Sequence, residues 1–357
     1  MERKNNGTPK MDIGELVRKL ETSQETSKKL QAELLLRERK QYPIGVSNQM
    51  ITDNWSMYQG DCVETLKGIP DGSLHYSIFS PPFLSLYVYS DDFRDMGNSK
   101  TDKEFYTHFE YLIPEIYRTL KTGRLVTVHC SLINKSIQND GVMGLKDLPG
   151  AIVHLFEKYG FIYHSKVNVW KDPLVQAVRT KSLALAHKQI SKDATRCGAG
   201  FADELLTFRK PGVNMEPVAH GRGFEQYFGE TPEPDNPKNE SARLNKYSHH
   251  VWQRYASPVW MDINQSKTLN GKNGKDSNDE KHICPLQLDV ISRCLDLWTN
   301  PGDVVLSPFG GIGSEGYESV RMGRKFIGIE LKESYWKQAC KNLKSIETRI
   351  KHQFINE

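Results

Sequence analysis

The sequence predicts an α/β fold built on a doubly wound, mostly parallel β-sheet, and three observations support this prediction. Apolar segments with strand character alternate with amphipathic helical segments along much of the chain. The apolar segment 74–79 runs into a proline-marked turn, Ser80-Pro-Pro-Phe83. A second apolar segment, 304–307, runs into Pro308-Phe-Gly-Gly-Ile-Gly313. A doubly wound sheet can bring such strand ends to one crevice, so we expect the two turns to share a site.

The size and composition of the chain limit the classes of protein to which it can belong. Its 357 residues suffice for one large α/β domain with an inserted lobe, or for two domains. Mean hydropathy is −0.58, and no apolar run approaches the roughly 20 residues that a membrane-spanning helix needs. The polar residues 1–6 open no signal-peptide core, so we expect a cytoplasmic protein.

The net charge of +4 is small, but basic residues are concentrated in one part of the chain. Residues 161–212 hold nine lysine and arginine residues against four acidic ones. Such an excess suits contact with phosphates, although a solvated basic surface would have the same composition.

The six cysteines and the histidines show no pattern typical of a metal or redox site. No Cys-x-x-Cys pair occurs, which argues against a zinc knuckle or a dithiol motif. His282 lies near Cys284 and His249 adjoins His250, but neither pair has a second half at ligand spacing. We predict scattered reduced thiols and no metal site.

The first half of the chain alternates between strands and helices after a charged leader. Residues 1–41 carry apolar positions at helical spacing, which predicts one or two exposed helices or an unstructured leader. The elements predicted up to residue 210 are strands over 55–61, 74–79, 124–130, 161–170 and 205–209, helices over 103–120 and 148–158, and a loop over 84–101.

The second half is irregular before order returns. Residues 211–279 lack regular periodicity, which predicts a loop-rich lobe. The elements predicted beyond it are helices over 286–299, 314–322 and 335–351 and strands over 303–307 and 325–330. The chain thus divides into an N-terminal helical arm (1–45), the first half of the main domain (46–210), the lobe (211–280) and the second half of the main domain (281–357).

The turn after 304–307 has the features of a nucleotide-binding site. A buried strand, a glycine-rich turn and a helix allow the backbone to approach a ligand closely. The next strand ends in Glu330, at the spacing of about 20 residues that is typical of a ribose-binding acid. A carboxylate there can accept hydrogen bonds from both ribose hydroxyl groups. The alternative is an ordinary strand end at which the glutamate is only solvated.

The Ser80-Pro-Pro-Phe83 turn suits the recognition of an amino group on a flat ring. Consecutive prolines hold an extended turn, so a rigid carbonyl and the Ser80 hydroxyl can accept two hydrogens of one amino group. Phe83 offers a face on which a heterocycle can stack. Two such acceptors would draw the nitrogen toward sp³ geometry and aim its lone pair at an electrophilic carbon. Without the glycine turn, this sequence more often forms a simple turn.

Together, these motifs resemble those of the amino-directed DNA methyltransferases that use S-adenosylmethionine. The order of the motifs is similar to that of the permuted β group, in which the target-base motif precedes the cofactor motif. Ser80-Pro-Pro-Phe83 matches the base motif, 307–315 and 323–330 match the cofactor signature, and 281–287 resembles the segment that closes over the methionine moiety. The resemblance covers residues 55–210 and 281–345 and is specific as a set.

The resemblance implies a role for each matching residue. Ser80, Pro81, Pro82 and Phe83 would be catalytic. The residues implied to bind S-adenosylmethionine are Asp61, Pro285, Ser307, Pro308, Phe309, Gly310, Gly311, Gly313, Ser314 and Glu330. Four positions depart from the family pattern: Ser307 replaces Asp, Ile312 replaces Ser, and Ser314 and Glu315 replace Thr-Thr. A neutral Ser307 would hold the methionine ammonium less strongly than a carboxylate does.

The resemblance also implies a seven-stranded sheet of order 3-2-1-4-5-7-6 with one antiparallel strand, a Rossmann-like methyltransferase fold. Double-stranded DNA would be the partner, and the target base would rotate out of the helix. We expect 46–210 to be the target-base half, 281–357 the cofactor-binding half, and 211–280 the target-recognition lobe. Within the lobe, Trp252, Tyr255 and Trp260 are more consistent with a small core than with DNA contact. The N-terminal arm is a possible dimer contact.

Several functions remain open at this point. Serine at the first motif position goes with cytosine in this family, so we predict N(4)-methylation of cytosine, with N(6)-methylation of adenine as the runner-up. No Pro-Cys nucleophile supports methylation at carbon 5. Three further classes compete with these: a non-catalytic DNA-binding protein with a degenerate cofactor pocket, a nicotinamide dehydrogenase, and a methyltransferase acting on RNA or protein glutamine.

Overall fold

Eleven strands and nine α-helices form the described part of this computed structural model, which comprises residues 45–84, 92, 94–135, 140–180, 182–230, 243–270 and 285–356. The N-terminal arm with its predicted dimer contact, and the His282–Cys284 pair, lie outside the described residues. The strands, in chain order, are β1 (Asn48–Ile51), β2 (Trp55–Gln59), β3 (Leu74–Phe79), β4 (Leu120–Ser131), β5 (Ile133–Lys135), β6 (Gly144–Lys146), β7 (Ile162–Val169), β8 (Asp203–Arg209), β9 (Val259–Trp260), β10 (Val304–Ser307) and β11 (Lys325–Glu330).

Nine of these strands form one sheet, in the order β1-β2-β11-β10-β3-β4-β8-β7-β9, while β5 and β6 form a separate hairpin. Within the large sheet, β8 is antiparallel to both neighbours and β1 is antiparallel to β2, whereas the remaining neighbours are parallel. The seven strands from β2 to β7 reproduce the 3-2-1-4-5-7-6 order. The predicted fold is therefore confirmed, and β1 and β9 extend the sheet at its two edges.

The helices cover both faces of the sheet. They are α1 (Cys62–Leu66), α2 (Asp102–Glu110), α3 (Leu112–Thr119), α4 (Leu148–Lys158), α5 (Pro173–Thr180), α6 (Lys246–Tyr255), α7 (Leu288–Trp298), α8 (Ser314–Arg321) and α9 (Glu333–Asn356). Helices α1–α4 pack against one face and α7–α9 against the other. Because side chains alternate along a strand, Phe79 of β3 joins the first layer whereas Tyr76 and Ile78 join the second. No helix of the described chain is both long and apolar enough to cross a bilayer.

Two predicted elements differ from those in the structure. The single helix expected over 103–120 is divided into α2 and α3 at Tyr111. Pro114 lacks the amide hydrogen that would bond to the Glu110 carbonyl, so a continuous helix would lose that bond. Leu120, expected to end the helix, instead begins β4.

The lobe also contains a helix that the sequence did not predict. In α6, Asn245 caps the first turn by accepting a hydrogen bond from the Ser248 amide at 3.0 Å. Tyr247, Val251 and Tyr255, spaced four residues apart, form its buried face. The rest of the helix is polar, so this narrow apolar stripe gives only a weak periodic signal.

Candidate active site

The two turns identified in the sequence meet at the carboxyl edge of the sheet. Strands β3 and β10 are parallel neighbours, so the turns that follow them lie side by side. A cavity of about 190 Å³ is lined by residues of both turns, among them Pro82 and Gly311. The strand order therefore creates the shared crevice, because the connections that follow β3 and β10 lead to neighbouring strands on opposite sides.

The glycine turn is held close to the end of β11. The Gly310 amide donates to the Ile329 carbonyl at 2.7 Å, and the Gly311 amide donates to Glu330 Oε2 at 2.8 Å. Gly313 has φ +86°, and a Cβ there would lie 3.1 Å from the Cβ of Ala339. The turn therefore requires glycine at position 313 both for its backbone conformation and for its close contact with α9.

Glu330 sits beneath the turn with both carboxylate oxygens engaged. Oε1 accepts the Lys332 amide at 2.9 Å while Oε2 accepts that of Gly311. Burial raises the pKa of Glu330 to about 7, although these backbone hydrogen bonds act in the opposite direction. Near neutral pH the group can therefore either accept or donate a hydrogen bond to a ligand hydroxyl.

Asp61 follows β2 at the same edge and lines the same cavity. Its Oδ1 accepts the amides of Val63 and Glu64, at 3.0 and 2.9 Å, and so caps α1. The Gly60 amide donates to the Glu330 carbonyl at 3.0 Å, which ties the ends of β2 and β11 together.

All four residues of the diproline corner, Ser80 to Phe83, line the cavity. Pro81 and Pro82 are buried, and the Phe83 ring is half-buried, 5.9 Å from the His129 ring between centroids. The Pro82 carbonyl accepts the Leu84 amide at 3.1 Å, and Leu84 has φ +55°, so the chain turns sharply after the motif.

Ser80 begins a chain of polar contacts that the sequence did not predict. Its Oγ lies 2.5 Å from Nδ1 of His129 on β4, and Nε2 of His129 lies 3.0 Å from Oδ2 of Asp203 at the start of β8. Lys171 Nζ lies 2.5 Å from the same Asp203 oxygen. Burial acts to raise the pKa of Asp203, but His129 and Lys171 outweigh it and hold the pKa below its ordinary value. Asp203 is therefore an anion behind His129.

A single histidine within an apolar strand is not enough to predict the contacts among Ser80, His129 and Asp203. His129 and Asp203 are far apart in sequence, and only the antiparallel pairing of β4 with β8 places them together. The cavity is also lined by Arg94, Lys332 and Tyr335. Arg94 pairs with Asp92 beside the cavity.

A second cavity of about 100 Å³ adjoins the first and shares Ser80, Phe309, Gly311 and Tyr335 with it. The further residues that line it are Pro285, Leu286, Gly310, Ile312, Ser314 and Glu315. Of the residues predicted to bind the cofactor, Ser307 and Gly313 line neither cavity. The Ser307 side chain is fully buried, and its hydroxyl donates to the Phe309 carbonyl at 3.2 Å.

In the described chain, one group of side chains has metal-ligand geometry, and it lies at the opposite, amino edge of the sheet. His75, Glu216 and Asp303 have ligand-type atoms within 4.8 Å of one another. Arg124 donates to Asp303 and Lys121 Nζ lies 2.5 Å from Glu216, so both carboxylates already have cationic partners. We interpret the group as an ion-pair network that ties the start of the lobe to the sheet.

The described part of the lobe has a small core of its own. Phe224, Tyr227, Phe228, Tyr247, Val251 and Tyr255 form this cluster. Tyr255 belongs to this cluster, as the core interpretation predicted. For the other two rings the prediction was wrong: Trp260 is buried in the core of the main sheet, and Trp252 is 56% exposed. Trp252 lies on the polar face of α6, opposite the buried stripe.

Comparison with known proteins places these motifs in a family. Residues 74–341 match the family model for DNA methylase of the N(6)/N(4) type. The chain is 25% identical over 281 residues to the type II methyltransferase M.BamHI of Bacillus amyloliquefaciens, covering 78% of this chain but only 55% of that protein. It is 23% identical over 288 residues to the DNA adenine methyltransferase YhdJ of Escherichia coli, covering 81% and 82% of the two chains.

Solved structures support the fold. The PvuII DNA methyltransferase (cytosine-N4-specific) superposes with a TM-score of 0.55 at 17% identity, covering 86% of this chain and 96% of that one. At this identity, the likeness concerns the fold alone.

Proposed function

This chain belongs to the DNA methylase family whose model spans residues 74–341, and from that premise we propose that it transfers a methyl group from S-adenosylmethionine to the exocyclic amino group of a cytosine in duplex DNA. The product would be N(4)-methylcytosine. The observation that carries the proposal is that the Ser80-Pro-Pro-Phe83 corner and the glycine turn line the same cavity.

The residues at this edge fit the cofactor by their donor and acceptor chemistry. Asp61 would contact the adenine, Glu330 the ribose hydroxyls, and the second cavity with Pro285 and Ser314 the methionine end. At Gly310 a Cβ would lie 3.2 Å from the Ile329 carbonyl, so glycine keeps the turn flat against β11. When bound, S-adenosylmethionine supplies an electrophilic methyl group on a sulfonium. Ser307, being buried, would support the turn from beneath rather than bind directly.

The diproline corner would bind the extruded base. The Ser80 hydroxyl and the Pro81 carbonyl would accept the two amino hydrogens, and the Phe83 ring would stack on the base. With the imidazole proton on Nε2, beside Asp203, Nδ1 of His129 would accept the hydroxyl hydrogen of Ser80, and the lone pairs of Oγ would remain available to the amino group. His129 would thus make Ser80 an acceptor, which favours the sp³ geometry that methyl transfer requires.

The same chain of contacts gives the surplus proton a path. Methylation leaves the amino nitrogen with one proton too many. That proton would pass to Ser80 Oγ while the hydroxyl proton of Ser80 moves to His129 Nδ1. The resulting imidazolium would be stabilised by Asp203, whose Oδ2 lies 3.0 Å from Nε2. A serine alone is too weak a base for this task, so His129 and Asp203 supply what a carboxylate at position 80 would otherwise provide.

The DNA would lie across the carboxyl edge of the sheet. Residues 170–202 connect the carboxyl end of β7 to the start of β8 at this edge, and their Lys188, Lys192 and Arg196 are exposed. We assign phosphate contacts to this segment, and base reading to the 211–280 lobe, whose exposed Trp252 and Arg254 suit groove contacts.

Nucleoside mass spectrometry of DNA incubated with the protein and S-adenosylmethionine tests the choice of base. We expect N(4)-methylcytosine. Recovery of N(6)-methyladenine alone would overturn the cytosine proposal in favour of adenine methylation, which the likeness to the adenine methyltransferase YhdJ supports. Cofactor binding without any methylated base in a panel of DNA sequences would indicate a non-catalytic DNA-binding protein.

A further inference from the structure

Glu315 is a buried carboxyl group at the wall of the second cavity. It occupies the first turn of α8, is 5% exposed, and lines the cavity together with Gly311, Ser314 and Tyr335. Within the described ranges, no lysine, arginine or histidine forms an ion pair with its carboxylate, whereas Glu318, one turn further along the same helix, is paired with Arg321. Glu315 is thus a nearly fully buried acid at the wall of a cavity, with no cationic partner among the described residues.

In the ligand-free protein, a buried carboxylate without a cationic partner carries a large cost in free energy. A carboxylate removed from water without a counter-charge is strongly disfavoured, so the group takes up a proton instead. Burial raises the pKa of Glu315 to about 8. The hydrogen bond from its own amide has a smaller effect and lowers the pKa, whereas the nearby Glu330 raises it further. A ligand cation that entered the cavity would provide the missing counter-charge.

The end of β10 lacks the carboxylate that the family pattern has there. The resemblance implies an acid at the end of β10, but this chain has Ser307, whose hydroxyl is buried and turned to the Phe309 carbonyl. Two of the departures from the family pattern therefore concern acids: Ser307, beneath the turn, replaces an acid, and Glu315, at the wall of the second cavity, replaces a threonine. The two changes compensate each other in charge.

We propose that the Glu315 carboxylate binds the ammonium group of the methionine moiety of S-adenosylmethionine, replacing the acid that the family carries at position 307. This inference rests on the proposed function, because it takes the second cavity as the site of the methionine end. It assigns a cofactor-binding role to a residue that departs from the family motif. The interaction would be a charge-assisted hydrogen bond in a dry site, which is stronger than one at the surface.

Binding titrations with two ligands test the proposal on the full chain. S-adenosylhomocysteine carries the ammonium group, and its deaminated analogue keeps the carboxylate but lacks the ammonium. For Glu315→Gln, we expect affinity for S-adenosylhomocysteine to fall at least about tenfold, the usual cost of losing one charged partner. Affinity for the deaminated analogue should stay within about twofold of wild type.

Glu318→Gln is the matched control, since Glu318 is a buried acid of the same helix that lines neither cavity. It should lower thermal stability yet leave both affinities unchanged. If Glu315→Gln weakened both ligands equally, or neither, the role of Glu315 would be refuted while the proposed function stood. A wild-type protein that bound no S-adenosylhomocysteine at all would overturn both.

Discussion

Ser80 Oγ lies 2.5 Å from Nδ1 of His129, although the two residues are 49 positions apart. Ser80 directly follows β3, and His129 lies in the neighbouring parallel strand β4. Nε2 of the same imidazole lies 3.0 Å from the Asp203 carboxylate, which favours a proton on Nε2 and leaves Nδ1 as an acceptor. We therefore expect Ser80 to donate its hydrogen to His129 and to act as an acceptor toward a ligand. This relationship connects the sequence motif to a specific chemical role that substitutions can test.

Substitution of Ser80 by alanine should reduce methyl transfer about 100-fold, because it removes both the amino-group acceptor and the first step of the proton path. Cofactor affinity should not change. Single-turnover transfer from labelled S-adenosylmethionine measures the first effect and titration with S-adenosylhomocysteine the second. Ser73, at the other end of β3, is the control, because its hydroxyl bonds the Pro70 carbonyl. Equal activity in Ser80→Ala and Ser73→Ala would remove Ser80 from the mechanism.

Replacement of His129 by glutamine should lower the rate of methyl transfer about 100-fold, because glutamine cannot take up the proton that leaves Ser80. Single-turnover rates of the wild type and of His129→Gln, measured at one pH with saturating cofactor, check this prediction. Equal rates in the two proteins would remove His129 from the proton path.

The contribution of Glu315 and Glu330 to stability in the ligand-free protein should fall as the pH rises from about 4.5 to about 8. Their folded-state pKa values are raised to about 8 and about 7, against 4.5 for an exposed glutamate. Across this range these two groups hold protons in the folded state that they have released in the unfolded state, so for them each rise in pH favours unfolding. In thermal melts at a series of pH values, Glu315→Gln should therefore lose less stability with rising pH than the wild type does. Identical pH dependence in the two proteins would contradict the raised pKa of Glu315.

Removal of the basic side chains in the segment 170–202 should weaken DNA binding and its dependence on salt. Lys188, Lys192 and Arg196 are replaced together by glutamine, and the slope of log affinity against log salt should fall by about 0.9 per lost phosphate contact. The control replaces Lys341, Lys344 and Lys351, which are exposed on α9, with the same change in net charge. Equal effects of the two triple variants would indicate that only net charge matters and that this segment is not the contact.

Alanine substitutions at two glycines with similar φ angles can distinguish the cost of backbone strain from the cost of a close contact. Gly313 and Gly302 have φ +86° and +83°, but a Cβ at Gly302 would meet nothing within 4 Å, whereas one at Gly313 would crowd Ala339. Alanine at Gly302 should cost about 1–2 kcal/mol from the left-handed conformation alone. Alanine at Gly313 should cost more and should also reduce affinity for S-adenosylhomocysteine, because the turn must move. Chemical denaturation and titration give the two quantities, and equal losses at both sites would contradict a role for the α9 contact.

Much of the fold was accessible from the sequence because its signals are local. Strands such as 74–79 and 325–330 were predicted with the bounds that the structure has, since a short apolar run bounded by a turn has few alternatives. Helix α6 escaped detection because its stability depends on packing Tyr247 and Tyr255 against the lobe, not on a broad apolar stripe. Likewise, the break between α2 and α3 was missed although Pro114 is visible in the sequence.

The sequence by itself determined the α/β class and the two turns, because each follows from chain-local patterns, and the order of its motifs was enough to indicate the strand order through the family they resemble. Only the tertiary structure decided which side chains act together. His129 and Asp203 meet through an antiparallel strand pairing, and Glu315 gains its meaning from a cavity in which it has no cationic partner among the described residues. Such relations depend on distances between remote segments, which no local pattern encodes.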